Sequence, residues 1–496
     1  MRFHARLSLL LICGQLGACI SPEGIHPKSA RIDAATLEAQ RSLQQPMLAA
    51  LSPADWPATD WWKALGDAQL AALIGEALEG SPAIAVARAR IDAARAGVDI
   101  ASAQLSPTNQ LSADITRQRF SSRGPTSSNL SGRTFTNHRL AFELGSELDL
   151  WGEKRAQLEA AVGRLHATEA EAHASRLALS IAIARVYVQL AHDHAQRDTA
   201  RLMLAQRESL LALARERHGS GLDTAIDAKL AESGIPEARI GILQYEHAID
   251  TGKRQIAALL GKGPDRGLAI GAPQLDGLAM AGLPAVLPSQ LIGRRPDVVA
   301  GRWRIEAAQD EAVAARAAFM PSINLVAHIG LQSLSLPALL RSGSHIFGLG
   351  PAVRLPLYGG ATLKGTLATR NAEFDLAVEE YNQLVIDALR EVLDQASTLQ
   401  AVENMRRETE QGLASAQQAY HLTVERYRSG LSNRLVVLNA ETQLLGFRTR
   451  LAELQARRLD ASIQLVKALG GGFGEEASNR TSNSTSTMTT GTGHER

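Results

Sequence analysis

Three groups of side chains have the types that chemistry requires, and their spacing decides how each is read. His192-Asp193-His194 sets two imidazoles beside a carboxylate, the composition of a metal site. The surrounding stretch is helical in pattern, and residues two apart on a helix point to different sides. The triplet therefore reads as a solvated helix face, and no metal is assigned. Glu143, Glu147 and Asp149 share one face if the segment is a strand. They form a candidate acid–base set, but on a barrel strand the simpler reading is that they line a wet lumen. The only thiols are Cys13 and Cys19. No GxSxG, P-loop, HExxH or paired CxxC occurs. Six tyrosines and five tryptophans argue against an aromatic sugar groove. No catalytic residue, metal or cofactor is assigned, and the chain does not read as an enzyme.

The N-terminal residues set the compartment. Arg2 and Arg6, the apolar run Leu7 to Ile12 and the small residues before Cys19 form an export signal too short to span a membrane as a permanent helix. Leu16-Gly17-Ala18-Cys19 resembles a lipoprotein box, in which the cysteine is diacylated and becomes the first mature residue. Each buried methylene contributes about 0.8 kcal/mol, so several acyl chains anchor firmly. Ile20 follows, and not the aspartate that retains many lipoproteins on the inner membrane. The alternative is an ordinary secreted protein. With Cys13 removed and Cys19 acylated, no thiol remains for a disulfide, a metal or a nucleophile. A net charge of +1 gives no electrostatic case for nucleic acid. No later apolar run reaches 18 residues, so a membrane crossing would need a closed β-barrel.

The sequence repeats itself. Ile91 to Pro107 matches Ile305 to Pro321 at an offset of 305 − 91 = 214, with both prolines and four alanines in register. Glu216-Arg217-His218-Gly219-Ser220-Gly221-Leu222 matches Glu425-Arg426-Tyr427-Arg428-Ser429-Gly430-Leu431 at 425 − 216 = 209, and the match continues to Ala231-Glu232 and Ala440-Glu441. The expected organisation is a signal peptide (1–18), a lipidated N-terminal segment (19–64), a first repeat (65–265), a linker (266–286), a second repeat (287–474) and a disordered Ser/Thr-rich tail (475–496).

Each repeat runs helix, two strands, a very long helix and a return helix. The strands are expected at about 108–120 and 134–150, then 321–331 and 346–357, from period-two alternation such as Ile323, Leu325, Ala327 and Ile329 against Ser322, Asn324, Val326 and His328. The long helices are expected at about 152–218 and 359–427, which contain no proline. At about 1.5 Å per residue each reaches roughly 100 Å, several times the usual helix. Val385, Ala388, Leu389, Val392, Ala396 and Leu399 form a stripe that needs a partner helix. Gly234 and Pro236 are expected to interrupt and kink the first return helix. Four strands cannot close a barrel, and open edges cannot lie in lipid. Two copies give a filled barrel of eight strands, whereas three give twelve and an aqueous lumen, so a homotrimer is expected.

Ser146-Glu147-Leu148-Asp149-Leu150-Trp151-Gly152 before an Ala-rich helix resembles the outer-membrane efflux channels of the TolC/OprM type. So do Leu287-Pro288-Ser289-Gln290-Leu291 with Arg294-Arg295-Pro296-Asp297, Ala317 to Ile323, and Leu355-Pro356-Leu357-Tyr358-Gly359-Gly360. Trp61-Trp62 with Asp67 and Leu70 resembles the lipoprotein (NodT-like) branch. The resemblance covers roughly residues 20 to 475. It implies a mainly α protein with a small β part: a coiled-coil α-barrel through the periplasm and a transmembrane β-barrel of twelve strands per trimer. It also implies a periplasmic adaptor (membrane fusion) protein and an inner-membrane pump of the RND type as partners, with outer-membrane lipid around the barrel. Efflux of small molecules is the implied function. A conduit for secreted protein and a periplasmic coiled-coil scaffold are the alternatives.

In that family the helix-to-helix turns form the periplasmic tip that adaptors grip, which here are Ser220-Gly221-Leu222 and Ser429-Gly430-Leu431. Family tips close through hydrogen bonds and ion pairs at positions held here by Tyr427, Arg426 and Arg434. The family's ring of acidic residues falls on Val436 and Asn439, so closure at that level is apolar or amide-lined. Asp223 and Asp227 are the candidates to supply charge instead.

Overall fold

The computed structural model describes residues 22–33, 37, 41, 55–123, 129–222, 224–275, 288–356 and 360–474, with no side-chain detail for 288–290. The expected signal peptide, Cys19, Asp223 and the tail lie outside the described residues. The elements are α1 (Ala68–Gly80), α2 (Pro82–Ala103), β1 (Thr108–Arg119), β2 (Thr134–Leu148), α3 (Glu153–Gly219), α4 (Ala225–Leu259), α5 (Pro288–Arg294), α6 (Pro296–Ala317), β3 (Ser322–Ser333), β4 (His345–Arg354), α7 (Gly360–Arg428) and α8 (Arg434–Ala468), with short 3-10 turns between. They form two compact units, each drawn from both halves of the chain. One comes from 1–31, 91–168 and 301–381, the other from 32–90, 169–300 and 382–496.

The first unit holds a four-stranded antiparallel sheet in the order β1-β2-β3-β4. Its register aligns the alternation across strands. Leu111, Phe142, Ile329 and Phe347 form one apolar row, and all four are exposed. Leu148, Ile323 and Val353 form another. On the opposite face Gln110, Glu143 and His328 lie in one row and Asp114, Arg139 and Gln332 in another. Arg139 bridges Asp114 at 3.4 Å and also pairs with Glu143. One face is therefore apolar and exposed and the other carries paired charges, the pattern of a sheet between lipid and water. Among the described residues β1 and β4 each have one unpaired edge.

Asp149 corrects its reading as a lumen carboxylate. The strand ends at Leu148, and the Asp149 carboxylate accepts the Lys154 and Arg155 amides at 3.1 and 3.0 Å. It caps α3, whose first amides have no partner within the helix. Gly152 turns the chain at φ 78°, and the Trp151 indole donates to the Pro321 carbonyl at 2.8 Å. That hydrogen bond ties the end of the first strand pair to the start of the second. Small residues then let helices approach closely. A Cβ on Gly163 of α3 would lie 3.1 Å from Ala307 of α6, and Ala156, Ala160, Ala161 and Ala167 are buried nearby in sequence.

The second unit is built on α1, parts of α3 and α7, and the return helices α4 and α8. Its core gathers Leu65, Leu70, Leu73, Ile74, Ile183, Tyr187, Leu190, Ile256 and Ile463. The most apolar stretch of α3 is thus core, as its burial between Leu179 and Leu190 shows. Asp67 organises the entry to α1. It caps Gln69 and Leu70 with one oxygen, and accepts from the Tyr187 hydroxyl and the Gln274 amide at 2.7 and 2.8 Å with the other. Arg295 is 7% exposed and reaches Asp297, Glu391 of α7 and the Ala468 carbonyl that ends α8. The Arg-Arg-Pro-Asp motif is therefore a structural clamp on three helices.

The long helices run 67 and 69 residues, about 100 Å each at 1.5 Å per residue. The expected interruption of the first return helix is corrected: α4 continues through Gly234 and Pro236. Proline removes one amide and crowds the carbonyl four residues earlier. Two residues before the proline, Arg207 of α3 donates to the Gly234 carbonyl at 2.8 Å, which ties this part of α4 to α3. A Cβ at Gly234 would sit 2.7 Å from that guanidinium, so glycine leaves it room.

Candidate functional site

The two helix-to-helix turns have the same construction. After α3, the Leu222 amide donates to Arg217 O and the Gly221 amide to His218 O; after α7, Leu431 donates to Arg426 O and Gly430 to Tyr427 O. These six-to-one and five-to-two bonds satisfy the last helical carbonyls and require a left-handed residue. Gly221 and Gly430 supply it at φ 73° and 74°. Each hairpin then re-enters a helix through a different cap. Thr224 and Asp227 form a reciprocal capping box on α4, whereas the Asn433 carboxamide accepts the Val436 amide on α8 at 3.2 Å. The Asp227 carboxylate thus holds the Thr224 amide and hydroxyl.

One hairpin is pinned to the other by Arg217. Its guanidinium lies 4.5 Å from the centre of the Tyr427 ring and donates to the Tyr427 carbonyl at 3.0 Å. It therefore places a cation on the negative end of α7 as well as on an aromatic face. Tyr427 is fully buried with Leu210 and Val437, flanked by Leu213, Tyr420 and Val424. Of the other expected site residues, Ser220 and Ser429 bond back to Glu216 O and Glu425 O. Leu222 and Leu431 are exposed at the turns, as are Leu435 and Val436. Arg426 and Asn439 are also exposed. Val436 and Asn439 lie three residues apart on α8, hence on one exposed face.

Arg434 points inward, at 3% exposure. Its Nε and one terminal nitrogen have no hydrogen-bond partner among the described residues, and neither oxygen of the buried Glu441 has one. Glu441 lies two turns further along the same face of α8, with the Arg207 Nε 3.8 Å from its carboxylate. Burial pushes the Glu441 carboxyl above the ordinary carboxylate range, against the opposing pull of Arg207 and Arg434. Burial likewise draws Arg434 down, with Glu441 opposing.

Sequence reasoning did not assign Arg207, Arg217 or Glu441. The repeat alignment contained a signal for two of them, since Arg217 matches Arg426 and Glu441 matches Glu232. Their environments differ: Glu232 is half-exposed and paired with Lys229, whereas Glu441 is sealed among helices. His192-Asp193-His194 is not a solvated face. Asp193 is buried and accepts from Gln189 at 2.9 Å, and burial, with Arg197 and Lys253, lowers the His194 pKa. Among the described residues no group of three or more ligating side chains could hold a metal.

The outer membrane efflux protein family model matches residues 73–262 and 287–471. The chain is 36% identical over 373 residues to the fusaric acid resistance protein FusA of Burkholderia cepacia, covering 74% of this chain and 69% of that protein. It is 31% identical over 492 residues to the multidrug resistance outer membrane protein MdtP of Escherichia coli strain K12, covering 95% and 98%. The crystal structure of the outer membrane protein VceC of Vibrio cholerae is similar with a TM-score of 0.79 and 35% identity, covering 84% of this chain and all of that one.

Proposed function

Since the chain belongs to the outer membrane efflux protein family and is an outer-membrane efflux channel, we propose that it works as a homotrimer, the outer conduit of a tripartite pump, gated where its long helices turn back. The observation that carries this is the two-faced, four-stranded sheet with unpaired edges. Backbone edges cannot face hydrocarbon, so strands from other copies must close the barrel, and three copies of four strands give twelve. The two family-model segments support reading 65–265 and 287–474 as repeats of one unit.

The channel carries solute passively and performs no covalent step. Its polar strand face wets the lumen, and the hairpins control access. Ser220 to Leu222 and Ser429 to Leu431 present exposed leucines to a periplasmic adaptor, which couples the channel to an RND-type inner-membrane pump. Val436 and Asn439 narrow the pore with apolar and amide groups, and Asp223 and Asp227 add charge in the segment that follows the first turn. Tyr427 and Arg434 act from within the hairpins, while Arg426 faces solvent. Cys19 carries the lipid anchor. Resistance to multiple drugs and to fusaric acid among the relatives supports small toxic organic molecules as cargo over secreted protein.

The test is conductance of purified protein in planar bilayers. Tip variants are expected to conduct several-fold more than the resting wild type. Wild type and variants that all fail to form channels would refute the proposal.

A further inference from the structure

We propose that the outward face of the barrel ends, on its extracellular side, in a basic belt built on Arg117 and Arg119 that binds the phosphate groups of anionic lipids in the outer leaflet. The proposal rests on the shared-barrel reading and goes beyond it, to the lipid around the barrel.

The register fixes which face these arginines share. β1 carries Leu111, Ala113, Ile115, Arg117 and Arg119 at every second position, so the two arginines continue its apolar face. Ile115 is 72% exposed, and Arg117 and Arg119 beyond it are exposed as well. Leu140 and Phe142 of β2 stand beside Ala113 and Leu111 on that face. From Leu140 to Leu148 the face runs about 27 Å along β2 at about 3.4 Å per residue. With the usual strand tilt that covers most of the roughly 25 Å apolar band of an outer-membrane barrel. The arginines stand just past its end, where headgroups begin. Arg117 pairs across the ladder with Thr136 and Arg119 with Thr134, so each guanidinium has a hydroxyl beside it. β2 meets the helical part of the chain through Leu148 and α3. The end carrying Arg117 and Arg119 is the opposite one, which in the proposed channel faces outside the cell.

Charge sets this end apart from the rest of the chain. The formal net charge of the whole is +1, yet no Asp or Glu lies between Ile115 and Phe142 or between Ser322 and Asn371. Arg123 and Arg133 in the first strand connection and Arg341 in the second add to the belt, and all three are exposed. Arg139 gives the contrast: on the polar face of the same ladder it is matched by Asp114 and Glu143. The asymmetry also has a direction, because the other end of the outward face holds Leu148, Ile323 and Val353 and no charge. An arginine at such a rim lays its methylenes along the apolar strand and lifts its planar fork to headgroup level. There the fork meets a phosphate through two parallel hydrogen bonds. Neutral headgroups offer no counter-charge, whereas every cation near an anionic surface adds to the attraction. A belt on one side only therefore fits a membrane whose outer leaflet carries the phosphates.

The test places the full-length protein in phosphatidylcholine vesicles containing lipid A, either with both phosphates or dephosphorylated. Lipid A retained per protein particle is counted after detergent extraction, with particle mass followed in parallel. Wild type is expected to retain the phosphorylated form about tenfold more than the dephosphorylated one. The double variant Arg117→Gln/Arg119→Gln should lose most of that preference. Arg117→Lys/Arg119→Lys should keep about a third of it, because the charge survives without the fork. Arg354→Gln, on the polar face at the opposite end of the sheet, should leave it unchanged. Equal retention of the two lipids by an intact wild-type trimer overturns the belt and leaves the shared barrel standing, whereas recovery of a monomer overturns both. A loss in Arg354→Gln as large as in the double variant assigns the preference to general charge and also refutes the belt. So does complete displacement of lipid A by millimolar inorganic phosphate, the mark of a site for free anions. Should the double glutamine variant fail to assemble, Arg117→Gln and Arg119→Gln alone decide: a preference reduced in each supports the belt, and one unchanged in both refutes it.

Discussion

Replacing Arg217 with alanine removes the contact that pins one hairpin turn to the other, and its size follows from the geometry. The guanidinium stacks 4.5 Å from the Tyr427 ring centre, an interaction of about 0.5–2 kcal/mol depending on desolvation. Its hydrogen bond to the Tyr427 carbonyl at 3.0 Å involves a charged donor, a class contributing about 1.5–3 kcal/mol. Arg217 is half-exposed, so solvent competes and about 1–2 kcal/mol per protomer remains. If three protomers open together the sum is about 3–6 kcal/mol, and each 1.4 kcal/mol is tenfold in an equilibrium. Arg217→Ala should therefore raise the ratio of open to closed channel by about a hundredfold or more in single-channel recordings at low voltage. Arg217→Lys keeps the charge but loses the planar fork, and should fall between. An intact Arg217→Ala trimer gating like wild type would refute the reasoning.

Removing the Arg295 clamp by Arg295→Met should destabilise the protein by about 3 kcal/mol, read as a lower apparent melting temperature of the detergent-solubilised protein. The same site predicts a pH effect. Burial opposes the Asp297 charge, but the Arg295 contacts and the amides of Asp297 and Val298 outweigh it and hold its pKa below the ordinary carboxylate value. Its stabilisation is therefore complete above about pH 4 and lost as pH falls through the folded-state value. The melting gap between wild type and Asp297→Asn should close on acidification. Gly430→Ala forces a side chain to φ 74° and should destabilise by about 1 kcal/mol, measured by the same melts. Cys19→Ser should stop incorporation of labelled lipid while the protein stays in the outer-membrane fraction, because the barrel holds it there.

Strands and long helices were legible because their signals are local. Period-two alternation marks a sheet with two different faces, and Ile323 to Ile329 carries it without a break. Gly221 and Gly430 marked the turns because only a left-handed residue closes a helix that way. What escaped were residues whose role depends on distant partners. Asp149 looked like one more alternating carboxylate, although its oxygens cap a helix starting four residues later. Pro236 looked like an interruption, although the helix from Ala225 to Leu259 continues through it. Glu441 was visible only as an aligned letter: its burial depends on how α3, α4, α7 and α8 converge, which periodicity in one helix does not encode.

The most direct test of the account is the protein mass of the particle extracted from outer membranes, by light scattering corrected for detergent. A mass of three chains that persists on dilution is the predicted result, because four strands leave two edges that only other copies can close. A monomer, or a protein released from the membrane once Cys19 acylation is blocked, would contradict the shared barrel.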